Sequence, residues 1–355
     1  MGAASTFSYY LLSIFPLVLV LAQLNSGWSM TIVDANTSPT SRGRRSSNDP
    51  NNNARVVVKK WLVVDFDGTC SENDTTGVLP KLAAILSDDE CIENRLATWS
   101  RLSDEYLEKY GAAKERICHK TQSLDEALDS LDEVSTAVTQ KVSSSQVLAG
   151  LNAAKPGTIQ EILERDLQGS VQLRQDCAAV LARSMAMKWS LGVLSINWCP
   201  ALIQAALLLP LSQELDRLRN CEEDDNSISS ESVPVWSNQI DCDGKVELDV
   251  PGATAKKTRI AGLRQGGGTF VIYVGDSSTD LSALLEADVG ILIYSSTFVA
   301  ESTIAVAERW GVRVLPLADR KSSEGSTSGQ SILWTASSWE EIEQLILNVS
   351  AVLGG

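Results

Sequence analysis

One histidine, His119, serves the whole chain of 355 residues. A Ser-His-Asp triad, a two-histidine motif or a zinc site built on several imidazoles is therefore excluded unless His119 itself takes part. Its setting, "KERICHKTQS", reads as the end of a helical segment with a solvated side chain. Paired cysteine spacing is missing as well. The seven cysteines (Cys70, Cys91, Cys118, Cys177, Cys199, Cys221 and Cys242) are odd in number, widely spaced and without a CxxC, so they read as free thiols. Basic charge is scarce: 30 Lys+Arg stand against 45 Asp+Glu, a formal net charge of −15. No basic field is available to draw in a phosphate backbone, which argues against a nucleic-acid partner. An acidic chain that handles a phosphate needs a metal cation or a few well-placed Lys and Ser groups.

A long apolar run is also lacking. Residues 9–22, "YYLLSIFPLVLVLA", are uncharged but short for a membrane span and interrupted by Pro16. With the small residues that follow, residues 1–28 read as a secretory signal peptide, although no Lys or Arg precedes the apolar core. An uncleaved signal anchor is the rival reading. Residues 29–55 include "SPTSRGRRSSNDPNNNAR", which has too little apolar area to bury and is expected to be disordered. A basic, Ser/Thr-rich tract behind a signal sequence fits a leader that enters the secretory pathway and continues to a plastid. No membrane contact is expected beyond this leader.

From residue 56 strands and helices alternate. "VVVKKWLVVDF" reads as a first strand, and residues 78–187 are almost wholly helical in pattern. "WSLGVLS" is a second strand, followed by a helix from Pro200 into "ALIQAALLL". Residues 219–232 and "RKSSEGSTSGQSI" read as loops, and "VPVWSNQIDCDGKVELDV" as a hairpin turning near Asp243-Gly244. "GTFVIYVGD", "VGILIY" and "VRVLPL" are further strands, the last of these taken as the final one, and "TDLSALLEA" and "SWEEIEQLILNVSAVL" are helices. This alternation predicts an α/β fold with a parallel sheet covered on both faces.

Chemistry-bearing residues gather at the carboxyl ends of these strands, where open parallel sheets hold their ligand sites. They are Asp65-x-Asp67-Gly68-Thr69; Ser195, ending "LGVLS"; the pair Lys256-Lys257 in "PGATAKKTRIAGL"; and "VGDSSTD" with Asp276 and Asp280. Each alone has a plainer explanation as an Asp-Gly turn, a helix N-cap or a solvated lysine. All four in this order on strand ends are far harder to explain that way.

With these four motifs the chain resembles the haloacid dehalogenase-like superfamily of aspartate-nucleophile hydrolases over residues 56 to about 350. "TWSRLSDEYLEKY", "VLSINWCPALIQAA", "YVGDSSTDLSALLEADVGILI" and "TASSWEEI" further resemble the phosphatase domains of plant bifunctional thiamin-salvage proteins, which act on thiamin monophosphate. Their TenA-like domain is expected to have no counterpart here. The resemblance implies a Rossmann-like core, residues 56–77 and 188–355, with an inserted α-helical C1-type cap over 78–187. It implies a Mg²⁺-dependent phosphomonoesterase acting on a small-molecule phosphate ester. Other esters (pyridoxal phosphate, phosphocholine-like, sugar phosphate), a phosphotransferase or phosphomutase, and a non-catalytic binding module are the alternatives.

Phosphomonoester cleavage needs a nucleophile, a proton donor for the leaving oxygen and cations around the phosphoryl group. Asp65 is the candidate nucleophile, forming an aspartyl-phosphate, and Asp67 the general acid/base two residues on. Asp65 and Asp276 are expected to hold the Mg²⁺ with the Asp67 backbone carbonyl, and Asp280 through water or by orienting the lysine. Ser195 donates to a phosphoryl oxygen, and amides near Gly68 and Thr69 help hold it. Lys256 is preferred over Lys257 because Ile260 lies four residues on along the buried face. Cys70 to Gly77 reads as a short flap in which Glu72 and Asp74 are solvated. Trp99, Tyr106, Tyr110 and Trp198 are candidates to stack on the leaving group, and an acidic cap suits a cationic one. Trp99, Tyr106 and Tyr110 also fall at helical spacing, which packing alone would explain.

Overall fold

The structure is a computed structural model that describes residues 58–87, 92–117, 119–220, 229–265, 268–294, 297–320 and 331–354. The leader expected over 1–55, most of the acidic loop around 221–228 and the loop of 321–330 lie outside the described residues. No helix among the described residues is long and apolar enough to cross a membrane.

Among the described residues nine strands form: β1 (Lys59–Val64), β2 (Ser190–Leu194), β3 (Val235–Trp236), β4 (Gln239–Ile240), β5 (Val246–Glu247), β6 (Thr269–Gly275), β7 (Val289–Ile293), β8 (Arg313–Pro316) and β9 (Ile332–Ala336). Seven of them make a wholly parallel sheet in the order β3-β2-β1-β6-β7-β9-β8. β1 is flanked on both edges by β2 and β6 and covered on both faces, which is why it reads as an unbroken apolar run rather than an alternation.

The helices are α1 (Leu79–Leu86), α2 (Ile92–Arg116), α3 (Leu124–Ser145), α4 (Pro156–Arg165), α5 (Cys177–Ala186), α6 (Pro200–Ile203), α7 (Leu209–Arg219), α8 (Ala253–Arg264), α9 (Leu281–Glu286), α10 (Thr297–Arg309) and α11 (Trp339–Gly354). Leu62 and Val64 of β1 pack with α5, α7 and α11, while Val63 faces the side covered by α8, α9 and α10. Helices α1 to α5 all lie between β1 and β2, where the helical block was expected. Their packing divides. α5 joins the core beneath β1 and β2, and α1, α4 and α6 gather in a separate apolar cluster around Leu79, Leu102, Leu148 and Leu202, while α2 and α3 straddle, since Ala113, Leu128 and Leu131 pack with α8 and α9. Ser123 caps α3 through a reciprocal bond pair with Glu126, a sequence signal that sets where this helix starts.

Two strand expectations need correction. The sequence reading assigns no strand after "VRVLPL", yet Ile332–Ala336 form β9, which inserts between β7 and β8. That leaves β8 on the edge, where Pro316, which has no N–H for a ladder, is tolerated. The expected hairpin of 233–250 contains only β4 and β5, turning at Gly244 (φ +79). Val235 and Trp236 instead join the main sheet parallel to β2.

Candidate active site

Val64 pairs with Val193 on one side and Val274 on the other, so Asp65, Ser195 and Asp276 emerge together at one edge of the sheet. The Asp65 amide still donates to Val274 O at 2.9 Å, and then the chain turns back. Gly68 makes the turn with φ +71. An added Cβ there would sit 2.4 Å from Asp276 Oδ2, so the position requires glycine both for its backbone and for the space. The amides of Thr69, Cys70 and Ser71 all return to Phe66 O, and Thr69 Oγ1 donates to Asp276 Oδ1 at 3.3 Å.

Carboxylate oxygens of Asp65, Asp276 and Asp280 lie within 4.8 Å of one another, all buried. Lys256 enters this cluster fully buried, its Nζ 2.6 Å from Asp280 Oδ1 and 3.1 Å from Asp65 Oδ1. Burial alone would lower its pKa, but facing Asp280 and Asp65 the ammonium is held above the ordinary lysine range. Lys257 goes elsewhere, to Asp125 on α3. Asp280 accepts from five donors: Lys256 and Tyr273 OH on one oxygen, and Asp276 N, Ser277 N and Ser277 Oγ on the other. So engaged, it orients Lys256 and the turn that carries Asp276.

Asp67 faces away from that cluster. Its Oδ1 accepts from Thr75 N at 2.8 Å and Thr75 Oγ1 at 2.6 Å, and its Oδ2 from Asn197 Nδ2 at 2.8 Å. Asn197 N donates to Ser195 Oγ at 3.2 Å, linking the ends of β1 and β2. Burial raises both acids, Asp65 to about 6, with Lys256 pulling against it, and Asp67 to about 7, with Asp74 adding to it and the side-chain donors of Thr75 and Asn197 opposing. The flap of residues 70–77 thus contributes Thr75, while Asp74 turns to the Thr76 amide and hydroxyl.

Tyr273, Asn197 and Thr75 were not singled out from the sequence. Tyr273 had a signal, a tyrosine in an otherwise aliphatic buried strand whose hydroxyl must find a partner. Asn197 and Thr75 had none, because their roles depend on two distant loops meeting.

The four aromatic candidates separate into two pairs. Trp99 and Trp198 meet edge to face with ring centres 6.1 Å apart, packed against the cluster of α1 to α4. Tyr106 and Tyr110 are 5.3 Å apart on α2, and Tyr110 OH lies 2.9 Å from Ser278 Oγ within "GDSSTD". Each pair touches a motif loop: Trp198 follows Asn197 directly in the chain, and Tyr110 reaches the Asp276 turn.

Asp65 Oδ1 supplies a test of whether a cation belongs here. It is 3.1 Å from Lys256 Nζ, close enough for attraction but out of line for a hydrogen bond, so this buried oxygen has no donor. Three buried carboxylates around one ammonium leave an excess of negative charge. Asp65 and Asp276 therefore suit a hard divalent cation with oxygen ligands.

The same excess makes stability depend on pH. Both acids titrate higher in the folded chain than the ~4 of an unfolded one, so the native state holds their protons more tightly. Their contribution is complete below about pH 4 and is lost as pH rises through about 6 to 7. In chelator, the melting temperature should be lower near pH 8 than near pH 5, and a divalent cation should raise it more at the higher pH. Thermal scans at both pH values check this, and a cation effect independent of pH would contradict it.

No family model matches the chain. The bifunctional TH2 protein, mitochondrial, of Arabidopsis thaliana is 28% identical over 319 residues, covering 80% of this chain and 48% of that protein. The chain thus spans about half of the plant protein's length. A CTO1 family protein of Schizosaccharomyces pombe is 23% identical over 292 residues, covering 80% of this chain and 98% of that one. Among solved structures, cytosolic 5'-nucleotidase IIIB bound to cytidine is similar at 13% identity with a TM-score of 0.44, covering 83% of this chain and 86% of that one. With its aspartate, serine and GDSSTD motifs at the ends of parallel strands and Lys256 reaching between Asp65 and Asp280, the chain has the α/β core and the motif arrangement of the haloacid dehalogenase-like superfamily that it resembles.

Proposed function

We propose that the chain is a Mg²⁺-dependent phosphomonoesterase that works through an aspartyl-phosphate on Asp65, with thiamin monophosphate as substrate. One observation carries the chemistry. Asp65 and Asp67 leave the same strand end, yet Asp65 faces an ammonium while Asp67 faces the neutral donors of Thr75 and Asn197. Lys256 favours the ionised form of Asp65, which suits a nucleophile, and Asp67 titrates higher, which suits a proton donor.

In the first step an Asp65 carboxylate oxygen bonds to phosphorus as the ester P–O bond breaks, and Asp67 gives its proton to the leaving oxygen. In the second, Asp67 takes a proton from water as that water attacks phosphorus and releases the Asp65 carboxylate. Asp65 and Asp276, with the Asp67 carbonyl, would hold the Mg²⁺, which when bound supplies positive charge against the phosphoryl oxygens. Asp280 keeps Lys256 aimed and Ser195 stands at the next strand end as a donor to the phosphoryl group.

The substrate assignment draws on the resemblance of residues 98–110 and 193–206 to thiamin monophosphate phosphatase domains and on the likeness to the plant protein. Trp198 and Tyr110 lie in these stretches, where rings beside the two motif loops would meet a heteroaromatic cation. Phosphate release over a panel of phosphomonoesters, with Mg²⁺ and with chelator, tests the reading. Thiamin monophosphate should turn over at least roughly tenfold more efficiently than pyridoxal phosphate, a phosphocholine-like ester or a sugar phosphate, the span a shape-fitted pocket supplies. Chelator should stop release. Similar rates on many esters would defeat the thiamin assignment alone, and no release at all would favour a binding module.

A further inference from the structure

We propose that Asp132, on α3 of the helical insertion, is a positioning residue for Lys256, because its carboxylate is the N-terminal cap of the helix that carries the lysine. For its catalytic consequence the proposal rests on the phosphatase reading.

Helix α8 begins at Ala253, and the residue before it, Gly252, has no side chain to satisfy the first-turn amides. The chain supplies the acceptor from 121 residues away: Ala253 N donates to Asp132 Oδ2 at 2.7 Å. The approach is so close that an added Cβ on Gly252 would lie 2.0 Å from Asp132 Cγ. A carboxylate at a helix N-terminus is also favoured by the helix dipole.

Asp132 does not act alone. Asp125, Asp129 and Asp132 follow at i, i+4 and i+7, which places them on one face of α3. Asp129 accepts from Thr254 Oγ1, and Asp125 from Lys257 Nζ and from Ser282 Oγ at the start of α9. This acidic stripe is bound to the first turns of α8 and α9 and so is not open to a cationic leaving group. A merely solvated face would not converge on residues 253, 254 and 257.

Lys256 lies in that same turn, pointing the other way into the cluster of Asp65 and Asp280. Its backbone N–H closes the first bond of α8, on Gly252 O at 3.2 Å. Nothing within α8 itself holds the turn from its N-terminal side, so the cap from α3 limits how far it frays. A lysine has four rotatable side-chain bonds, and a loosened backbone would let its ammonium drift from Asp65. Docking of the insertion and readiness of the nucleophile are thereby coupled.

The test compares Asp132→Ala with Asp132→Asn, since asparagine caps a helix about as well as aspartate. Asp132→Ala should lower kcat by roughly tenfold, the scale of a lost cap, with KM little changed. Asp132→Asn should restore kcat to near the wild-type value. Hydrogen exchange at amides 253–257 should quicken in the alanine variant and return in the asparagine variant.

Unchanged kcat in Asp132→Ala, or an asparagine variant as poor as the alanine one, would overturn the proposal. If Asp132→Ala does not fold, Asp129→Ala takes its place, with a smaller loss of kcat and faster exchange at 253–257 expected; wild-type kcat together with wild-type exchange there would overturn the proposal. Should the wild-type chain release phosphate from no ester, the phosphatase reading falls. The exchange comparison then decides the capping by itself.

Discussion

Asp65→Asn should abolish phosphate release, by a factor of roughly 10⁴ to 10⁶, while the protein stays folded. An amide oxygen cannot form the acyl-phosphate bond that the reaction requires, and two of the neighbouring carboxylates are engaged elsewhere. Asp67 is turned to Thr75 and Asn197, and Asp280 accepts from five donors. The substitution preserves volume and removes one negative charge from a buried cluster that has too many. Stability in chelator should therefore be equal to or above that of the wild type near pH 8. Single-turnover phosphate release and a thermal melt on the same preparation check both halves. An asparagine variant within tenfold of wild-type turnover would refute Asp65 as the nucleophile.

Lys256→Met should cost both activity and stability. Methionine fits the buried stem but leaves Asp65 and Asp280 without the ammonium that stands between them. Breaking a buried pair by removing one partner costs about 3 to 5 kcal/mol, since the remaining charge has no compensation. The loss should be greatest near pH 8 and smaller near pH 5. At the lower pH, Asp65, already raised by burial and now without Lys256 to oppose it, takes up a proton. Denaturant unfolding at the two pH values measures this. A variant as stable as wild type near pH 8 would mean that the cluster tolerates its own repulsion without the lysine. Lys257→Met, by contrast, removes a half-exposed pair with Asp125, which is worth far less.

Which lysine mattered could be argued in the sequence only from Ile260 four residues on. In the fold the two neighbours point to opposite sides of α8, one into the carboxylates and the other to α3. The aromatic candidates show a similar boundary. Helical spacing marked Trp99, Tyr106 and Tyr110 as sharing a helix face. It did not show that Trp99 would meet Trp198, or that Tyr110 would reach Ser278.

From the sequence alone came the alternation of strands and helices, the long helical insertion and the four motifs in order, of which three sit on strand ends while Lys256, expected on one, lies in the first turn of α8. These are local properties, since burial on both faces writes an apolar run and a turn writes its glycine. Asp65 and Asp67 are legible for that reason. Only the tertiary structure brought Asn197 and Thr75 to Asp67, placed β9 between β7 and β8, and turned the acidic face of α3 onto the first turn of α8. Each of these joins residues far apart in the chain, and such partners are set by strand register and helix docking, which residue pattern does not encode.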